Sequence, residues 1–189
     1  MKLSILVPTL NQRSVLFNRL LDIVCPQITD EVELLTECDS GELEIGTKRN
    51  LLVAKAKGDY VAFVDDDDRV SKDYVPRILG AMKTKPDCVG IEGIYTYGRD
   101  KRKFMSSLRY KSWYEKGTEL FRCPNHLNPV LRSIASKVPF PEKSWGEDMT
   151  YSLGIRPYLK TEVYLEGPIY FYDYNPSHFR RPSAKHQPR

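Results

Sequence analysis

Over residues 1–98 the chain alternates short, almost wholly apolar runs with longer stretches of helical periodicity. Residues 3–8 (LSILVP) and 59–64 (DYVAFV) are too short for core helices and carry almost no polar face. Such runs suit strands covered on both sides, the situation in parallel sheets layered between helices. Between them, residues 11–27 (NQRSVLFNRLLDIVCPQ) place Val15, Leu16, Leu20, Ile23 and Val24 on one helical face, and Pro26 stops the helix. Residues 31–42 (EVELLTECDSGE) alternate as a strand and close in a turn at Asp39-Ser40-Gly41. Residues 45–58 (IGTKRNLLVAKAKG) have helical composition, with Gly58 as the expected C-terminal cap. Residues 71–86 (SKDYVPRILGAMKTKP) read as the next helix with Ser71 as N-cap, and residues 87–98 (DCVGIEGIYTYG) as another strand. This order predicts an α/β domain, with a mainly parallel, doubly wound, Rossmann-like sheet flanked by helices.

In such sheets the carboxyl ends of the strands share one edge, where ligands bind. Pro8-Thr9, Asp39-Ser40-Gly41 and Asp65–Asp68 all fall at predicted strand ends. The last of these is four consecutive carboxylates closing a core strand. Repulsion and desolvation oppose that arrangement unless the turn is solvated or a cation offsets the charge. Divalent cations take oxygen ligands, and neighbours in an extended segment or tight turn point opposite ways, so Asp65 and Asp67 can share a ligand while Asp66 faces elsewhere. No GxGxxG or GxxxxGK[ST] follows the first strand, so the usual dinucleotide and P-loop fingerprints are missing.

Hydrophobic residues make up 41% and charged residues 29% of the 189 positions, which excludes a disordered chain. No apolar run approaches the ~20 residues of a membrane span, and residues 1–10 (MKLSILVPTL) read as a first strand, not a leader. Four dispersed cysteines (Cys25, Cys38, Cys88, Cys123) without a CxxC pair argue against zinc or redox chemistry and for a reduced, cytoplasmic setting. The net charge of +4 is uneven: residues 180–189 (RRPSAKHQPR) hold four cations and no acid. Beyond Gly98 the periodicity is lost in an aromatic and basic stretch, residues 99–129. Residues 145–159 (WGEDMTYSLGIRPYL) read as a short helix opened by acids, and residues 161–176 (TEVYLEGPIYFYDYNP) as strand, turn and strand. One domain is expected: a first part over 1–98, a second over 99–180 and a basic tail over 181–189.

Four motifs stand in a specific order: SILVPTLNQR, ECDSG, GTKRNLLVAKAKGDYVAFVDDDDRV and WGEDM. In order and rough spacing they resemble family 2 glycosyltransferases of the GT-A fold, closely over about residues 3–80 and more loosely over 120–180. The resemblance implies an inverting, metal-dependent transfer of a sugar from a nucleotide-sugar, with UDP favoured, to an acceptor hydroxyl. It implies that Pro8, Thr9 and Asn11 line the nucleotide pocket, that Asp39 bonds the base or ribose, and that Lys48 or Arg49 lies beside base or sugar. Asp65 would reach the ribose or donor sugar, Asp66 would occupy a variable position, and Asp67 would be the main ligand of Mn2+ or Mg2+, with Asp68 assisting through water. Glu147-Asp148 matches the acidic pair that supplies the base, Asp148 taking the proton and Glu147 orienting the acceptor; Trp145 is a candidate sugar-stacking wall. His178, Arg180 and Arg181 could close over the diphosphate, with His178 a further metal ligand.

His126 lies where the acceptor side should begin, whereas Tyr110, Trp113 and Tyr114 read as packing residues. The acceptor is left open between a glycan, a small molecule and modified DNA. The motives for DNA are the run at 98–103 (GRDKRK) and the basic tail. A nucleotidyltransferase would normally carry a glycine-rich loop after the first strand, and PTLNQRS has none. A non-catalytic nucleotide-binding module is the remaining alternative, and the retained acids argue against it.

Overall fold

The computed structural model describes residues 1–175. The expected His178, Arg180, Arg181 and basic tail lie outside the described residues. Ten strands form one sheet, β1 (Leu3–Leu10), β2 (Val32–Asp39), β3 (Tyr60–Phe63), β4 (Arg69–Val70), β5 (Cys88–Tyr97), β6 (Asp100–Ser106), β7 (Tyr114–Lys116), β8 (Glu119–Arg122), β9 (Val130–Leu131) and β10 (Glu162–Tyr174). Five α-helices accompany them: α1 (Ser14–Val24), α2 (Ile45–Lys55), α3 (Tyr74–Ala81), α4 (Arg132–Ala135) and α5 (Glu147–Ile155).

β1 lies between β2 and β3 and runs parallel to both, in keeping with its uninterrupted burial. Leu20 and Val24 of α1 and Tyr74, Val75 and Ile78 of α3 pack on one face with Ile5, Val7 and Ala62. Leu52 and Val53 of α2, with Tyr151 and Ile155 of α5, pack on the other face with Leu6, Val61 and Phe63. The sheet is therefore doubly wound here, and β1 and β3 feed side chains to both layers.

Several local expectations change. Val15 is 81% exposed; Phe17 packs on the core instead, because the buried face of α1 runs through Phe17, Leu20 and Val24. Gly58 does not cap α2, which ends in extended backbone at Ala56. A Cβ on Gly58 would lie 2.6 Å from the Ser4 amide nitrogen, so close passage over β1 explains the glycine. Ser71 does not cap α3: Asp73 holds the N-cap position and the Ser71 hydroxyl is buried without a partner. Residues 162–174 form one long strand, with the expected turn reduced to an irregularity around Gly167 (φ 80°). The Gly167 amide bonds Glu92 at 2.9 Å and the strand resumes beside β5.

The stretch without clear periodicity is mainly antiparallel. β5 and β6 form a hairpin, β8 joins β6 in parallel, and β7 pairs with β8. The two-residue β9 inserts antiparallel between β3 and β5. No helix among the described residues is long and apolar enough to cross a membrane.

Candidate active site

The four aspartates form a tight turn in which the Asp68 amide bonds the Asp65 carbonyl at 3.1 Å. Their side chains alternate: Asp66 and Asp68 are buried, while Asp65 and Asp67 are partly exposed. Asp66 accepts the Thr9 hydroxyl at 2.7 Å and Arg13 at 2.8 Å. Asp68 accepts the Tyr170 hydroxyl at 2.8 Å and the Asp173 amide at 3.0 Å. The same Tyr170 oxygen accepts the Asp65 amide at 3.1 Å, so β10 grips the turn from below. Burial, and then the charges of Asp65 and Asp67, push the Asp68 carboxyl well above the usual carboxylate range. The turn thus spends two acids inward and presents two outward.

Asp65 is held on both oxygens. Arg49 of α2 donates to Oδ1 at 2.8 Å, and His126 Nε2 lies 3.4 Å from Oδ2. Burial works against the Asp65 charge, but Arg49 and His126 outweigh it and hold the carboxyl well below its ordinary range. His126 is carried by a loop built on Asn125 and Asn128; the Asn128 amide bonds the Val89 and Ser106 carbonyls at 2.9 and 3.1 Å.

At the neighbouring strand end Asp39 is ion-paired with Lys48, whose ammonium also bonds the Thr9 carbonyl at 2.7 Å. Burial opposes the Asp39 charge, and Lys48 with the Leu43 amide more than reverses it, lowering the carboxyl. Asn11 bonds the Ser40 hydroxyl at 2.8 Å and is exposed. Pro8 and Thr9 are buried in β1, so the three strand ends converge as their sequence positions predict.

α5 reaches this edge through the segment before it. Asn50 of α2 clamps Phe140 in both directions, donating to its carbonyl at 2.9 Å and accepting its amide at 2.8 Å. Gly46 packs so tightly on this segment that a Cβ would fall 1.9 Å from the Pro141 carbonyl oxygen. Gly146 then turns with φ 69°, a left-handed conformation that favours glycine. Glu147 enters the interior and bonds Arg49 at 2.5 Å. Asp148 stays partly exposed, its Oδ1 accepting the Met149 amide at 2.7 Å. Trp145 is 76% exposed beside it.

Glu147, Lys48 and Arg49, expected near the ligands, are thus buried and bonded to protein groups. Arg13, Asn50, Arg19 (which bonds the Asp67 carbonyl at 2.6 Å) and Tyr170 shape the site without having stood out in sequence. Arg102 and Lys103 of the basic run on β6 are ion-paired with Glu115 and Glu92 at 2.8 and 2.7 Å, which gives that run an intramolecular explanation.

The profile of Glycosyl transferase family 2 matches residues 39–138, more than half of the chain. The chain belongs to glycosyl transferase family 2. No curated protein matches it by sequence. Among solved structures, this family 2 domain is similar to S. aureus TarS 1–349 in complex with UDP-GlcNAc, with TM-score 0.71 and 17% identity over 93% of this chain and 59% of that one. The complex of the same fragment with UDP gives TM-score 0.71 and 18% identity over 93% of this chain and 61% of that one. A197 from STIV matches with TM-score 0.52 and 14% identity over 98% of this chain and all of that one. The chain thus spans about three fifths of the TarS fragment. At these identities the likeness is one of fold, and the fold is GT-A.

Asp65 and Asp67 are hard oxygen donors on the outward side of the turn. Among the described residues, no group of three His, Cys, Asp or Glu side chains is gathered to hold a metal. The donor set fits a divalent ion that takes its remaining ligands from phosphate oxygens and water, as Mg2+ usually does.

Proposed function

We propose that this domain transfers a sugar from a nucleotide-sugar, a UDP-sugar by preference, to an acceptor hydroxyl with inversion at the anomeric carbon. The observation that carries the reading is the alternation within the acidic turn. Asp66 and Asp68 turn inward to Thr9, Arg13, Tyr170 and Asp173, while Asp65, braced by Arg49 and His126, and Asp67 are partly exposed at the edge where Asp39 and α5 converge. A solvated acidic turn would need no such internal bracing. The resemblance to a TarS fragment crystallised with UDP-GlcNAc and with UDP supports the choice of donor class.

In this reading Asn11 and the Asp39–Lys48 pair border the nucleoside, and Asp67 with Asp65 would hold Mn2+ or Mg2+ against the diphosphate. That ion, when bound, offsets the negative charge that collects on the leaving diphosphate. Asp148 accepts the proton of the acceptor hydroxyl as its oxygen attacks the anomeric carbon. The new C–O bond forms on the face opposite the departing group, and the old C–O bond breaks with its electron pair leaving on the nucleoside diphosphate. Trp145 offers an apolar face to the sugar. Glu147 acts through Arg49, fixing the start of α5 and with it Asp148.

Thermal denaturation with a panel of nucleoside diphosphates, with and without Mn2+, tests the reading. A metal-dependent rise in Tm with UDP that disappears in Asp67→Ala is expected, since ligands of the folded state stabilise it by mass action. No rise with any nucleotide would overturn the proposed donor site.

A further inference from the structure

Beyond the acidic turn, β5, β6, β7, β8 and the segment before β7 border an open cavity of about 290 Å³, lined by Tyr95, Arg102, Trp113, Glu115, Leu120 and Arg122. Its two guanidinium groups are in different states. Arg102 is satisfied, with Glu115 at 2.8 Å and the Thr118 carbonyl at 3.3 Å. Arg122 is sandwiched by rings: its guanidinium carbon lies 4.9 Å from the Trp113 centroid and 5.4 Å from that of Phe104. Among the described residues no carboxylate pairs with it. Burial pushes its guanidinium pKa down, although Tyr172, Asp148, Tyr95 and Asp68 act the other way. The indole Nε1–H of Trp113 is likewise buried with no hydrogen-bond partner. A partly exposed guanidinium set between aromatic rings, with no carboxylate within ion-pair distance among the described residues, is a binding group for an anion.

The cavity also adjoins the proposed chemistry. Arg122 lies within the electrostatic reach of Asp148 and Asp68. Its neighbour Cys123 meets Ser152 at 3.2 Å, one helical turn along α5 from Asp148. On the far side of Tyr95, Tyr172 and Tyr174 stack at 5.5 and 6.0 Å and extend the aromatic surface along β10.

We infer that this cavity is the acceptor subsite, and that it takes a saccharide bearing an anionic group, phosphate or carboxylate, which Arg122 binds while Trp113 and Tyr95 cover the carbon face. Naming it an acceptor subsite rests on the glycosyltransferase reading above; the binding chemistry rests on the cavity alone. Planar guanidinium suits both anions, and aromatic faces suit the C–H surface of sugars.

The test follows the Trp113 indole resonance in 15N NMR spectra of the whole chain, assigned with Trp113→Phe, during titration with glucose 6-phosphate, glucuronate, glucose and inorganic phosphate. Each titration is run with and without UDP and Mn2+, so that phosphate entering the donor site is recognised. Saturable shifts are expected with at least one of the two anionic sugars, about tenfold tighter than with glucose or with phosphate alone, as one charge-assisted contact implies. Which anionic sugar binds tells phosphate from carboxylate recognition. Arg122→Gln should erase the preference and Arg122→Lys should restore part of it; the wild-type titrations stand even if Arg122→Gln fails to fold. Equal binding of glucose, or no movement of Trp113 with any probe, overturns the proposal. If UDP raises Tm while Trp113 stays still, the acceptor assignment falls alone and the donor site stands. If Trp113 responds but no nucleotide binds, the cavity's role as an acceptor subsite falls.

Discussion

Arg49 and Glu147, 98 residues apart in sequence, meet at 2.5 Å in the interior, and the other arm of the same guanidinium holds Asp65 at 2.8 Å. Phe63 and Phe140 flank it, their ring centroids 5.8 and 5.5 Å from the guanidinium carbon. One buried cation therefore ties the acidic turn to the first residue of α5, whose second residue is Asp148. Two carboxylates compensate the cost of burying its charge. Removing one member leaves the others uncompensated.

Arg49→Met should accordingly destabilise the fold by about 3–5 kcal/mol, the range for breaking a buried ion pair. Adding Glu147→Gln to it should cost less than the sum of the two single changes, because both act on one network. Urea unfolding of the four proteins of this cycle measures both quantities.

The four aspartates should separate by function. Asp66→Ala strands the Thr9 hydroxyl and removes a partner of Arg13, and should cost about 1–3 kcal/mol. Asp67→Ala should cost less than Asp66→Ala, since its side chain is more exposed (14% against 2%) and its ion pair with Arg13 is the longer one at 3.5 Å. Thermal melts without ligand rank the two; the opposite order would contradict the inward and outward division of the turn.

Asp148→Asn should lower transfer by about 10²–10⁴-fold, the usual contribution of a general base. The UDP-dependent rise in Tm should survive, because in the proposed reaction Asp148 acts on the acceptor and not on the donor. Turnover and melting measured on one preparation distinguish loss of the base from loss of the donor.

Asp87 gives a pH dependence remote from the site. Burial opposes its charge, but the amides of Lys160 and Thr161, at 2.7 and 2.8 Å, outweigh it and lower the carboxyl. A carboxyl lowered by folding contributes its full stabilisation above its unfolded value of about 3.9 and loses it as pH falls through the folded value. Asp87→Asn should therefore be less stable than wild type at neutral pH, and the gap should narrow below about pH 4. Urea midpoints across pH 2.5–7 read the difference.

Two glycines should respond in opposite directions. Gly46→Ala would drive a Cβ to 1.9 Å from the Pro141 carbonyl, displace the segment leading to α5, and cost about 1–3 kcal/mol or more. Gly80 in α3 has open space where its Cβ would be, and Gly80→Ala should stabilise by about 0.4–1 kcal/mol. Thermal denaturation of the two variants decides both signs.

The layer order and the convergence of the strand ends were legible in sequence because they rest on local chemistry. Residues 3–8 and 60–64 are apolar on both faces, and only a doubly covered sheet accommodates them. The acid run at a strand end and the acidic opening of α5 are likewise local patterns, and both fall at the shared edge. The periodicity of α1 named the right helix but the wrong rim, because Val15 and Phe17 differ in what lies opposite them and not in hydropathy.

What tertiary structure alone decided is which polar groups face which. Asp65 to Asp68 are four identical side chains in the sequence; Tyr170, over a hundred residues away, is what makes Asp68 interior. Arg49 reads as a ligand contact until Glu147 arrives from the other end of the chain to enclose it. β9 is two residues long, too short to carry any periodicity, and exists because the edges of β3 and β5 leave backbone groups to be paired. Trp113 reads as packing, and only the folded chain shows that its ring borders the cavity beside Arg122 with a buried, unpartnered indole N–H. Local pattern determined the elements and their order. Long-range pairing of charges and hydrogen bonds, which no local window contains, determined which of the polar residues are structural braces and which are left to meet a ligand.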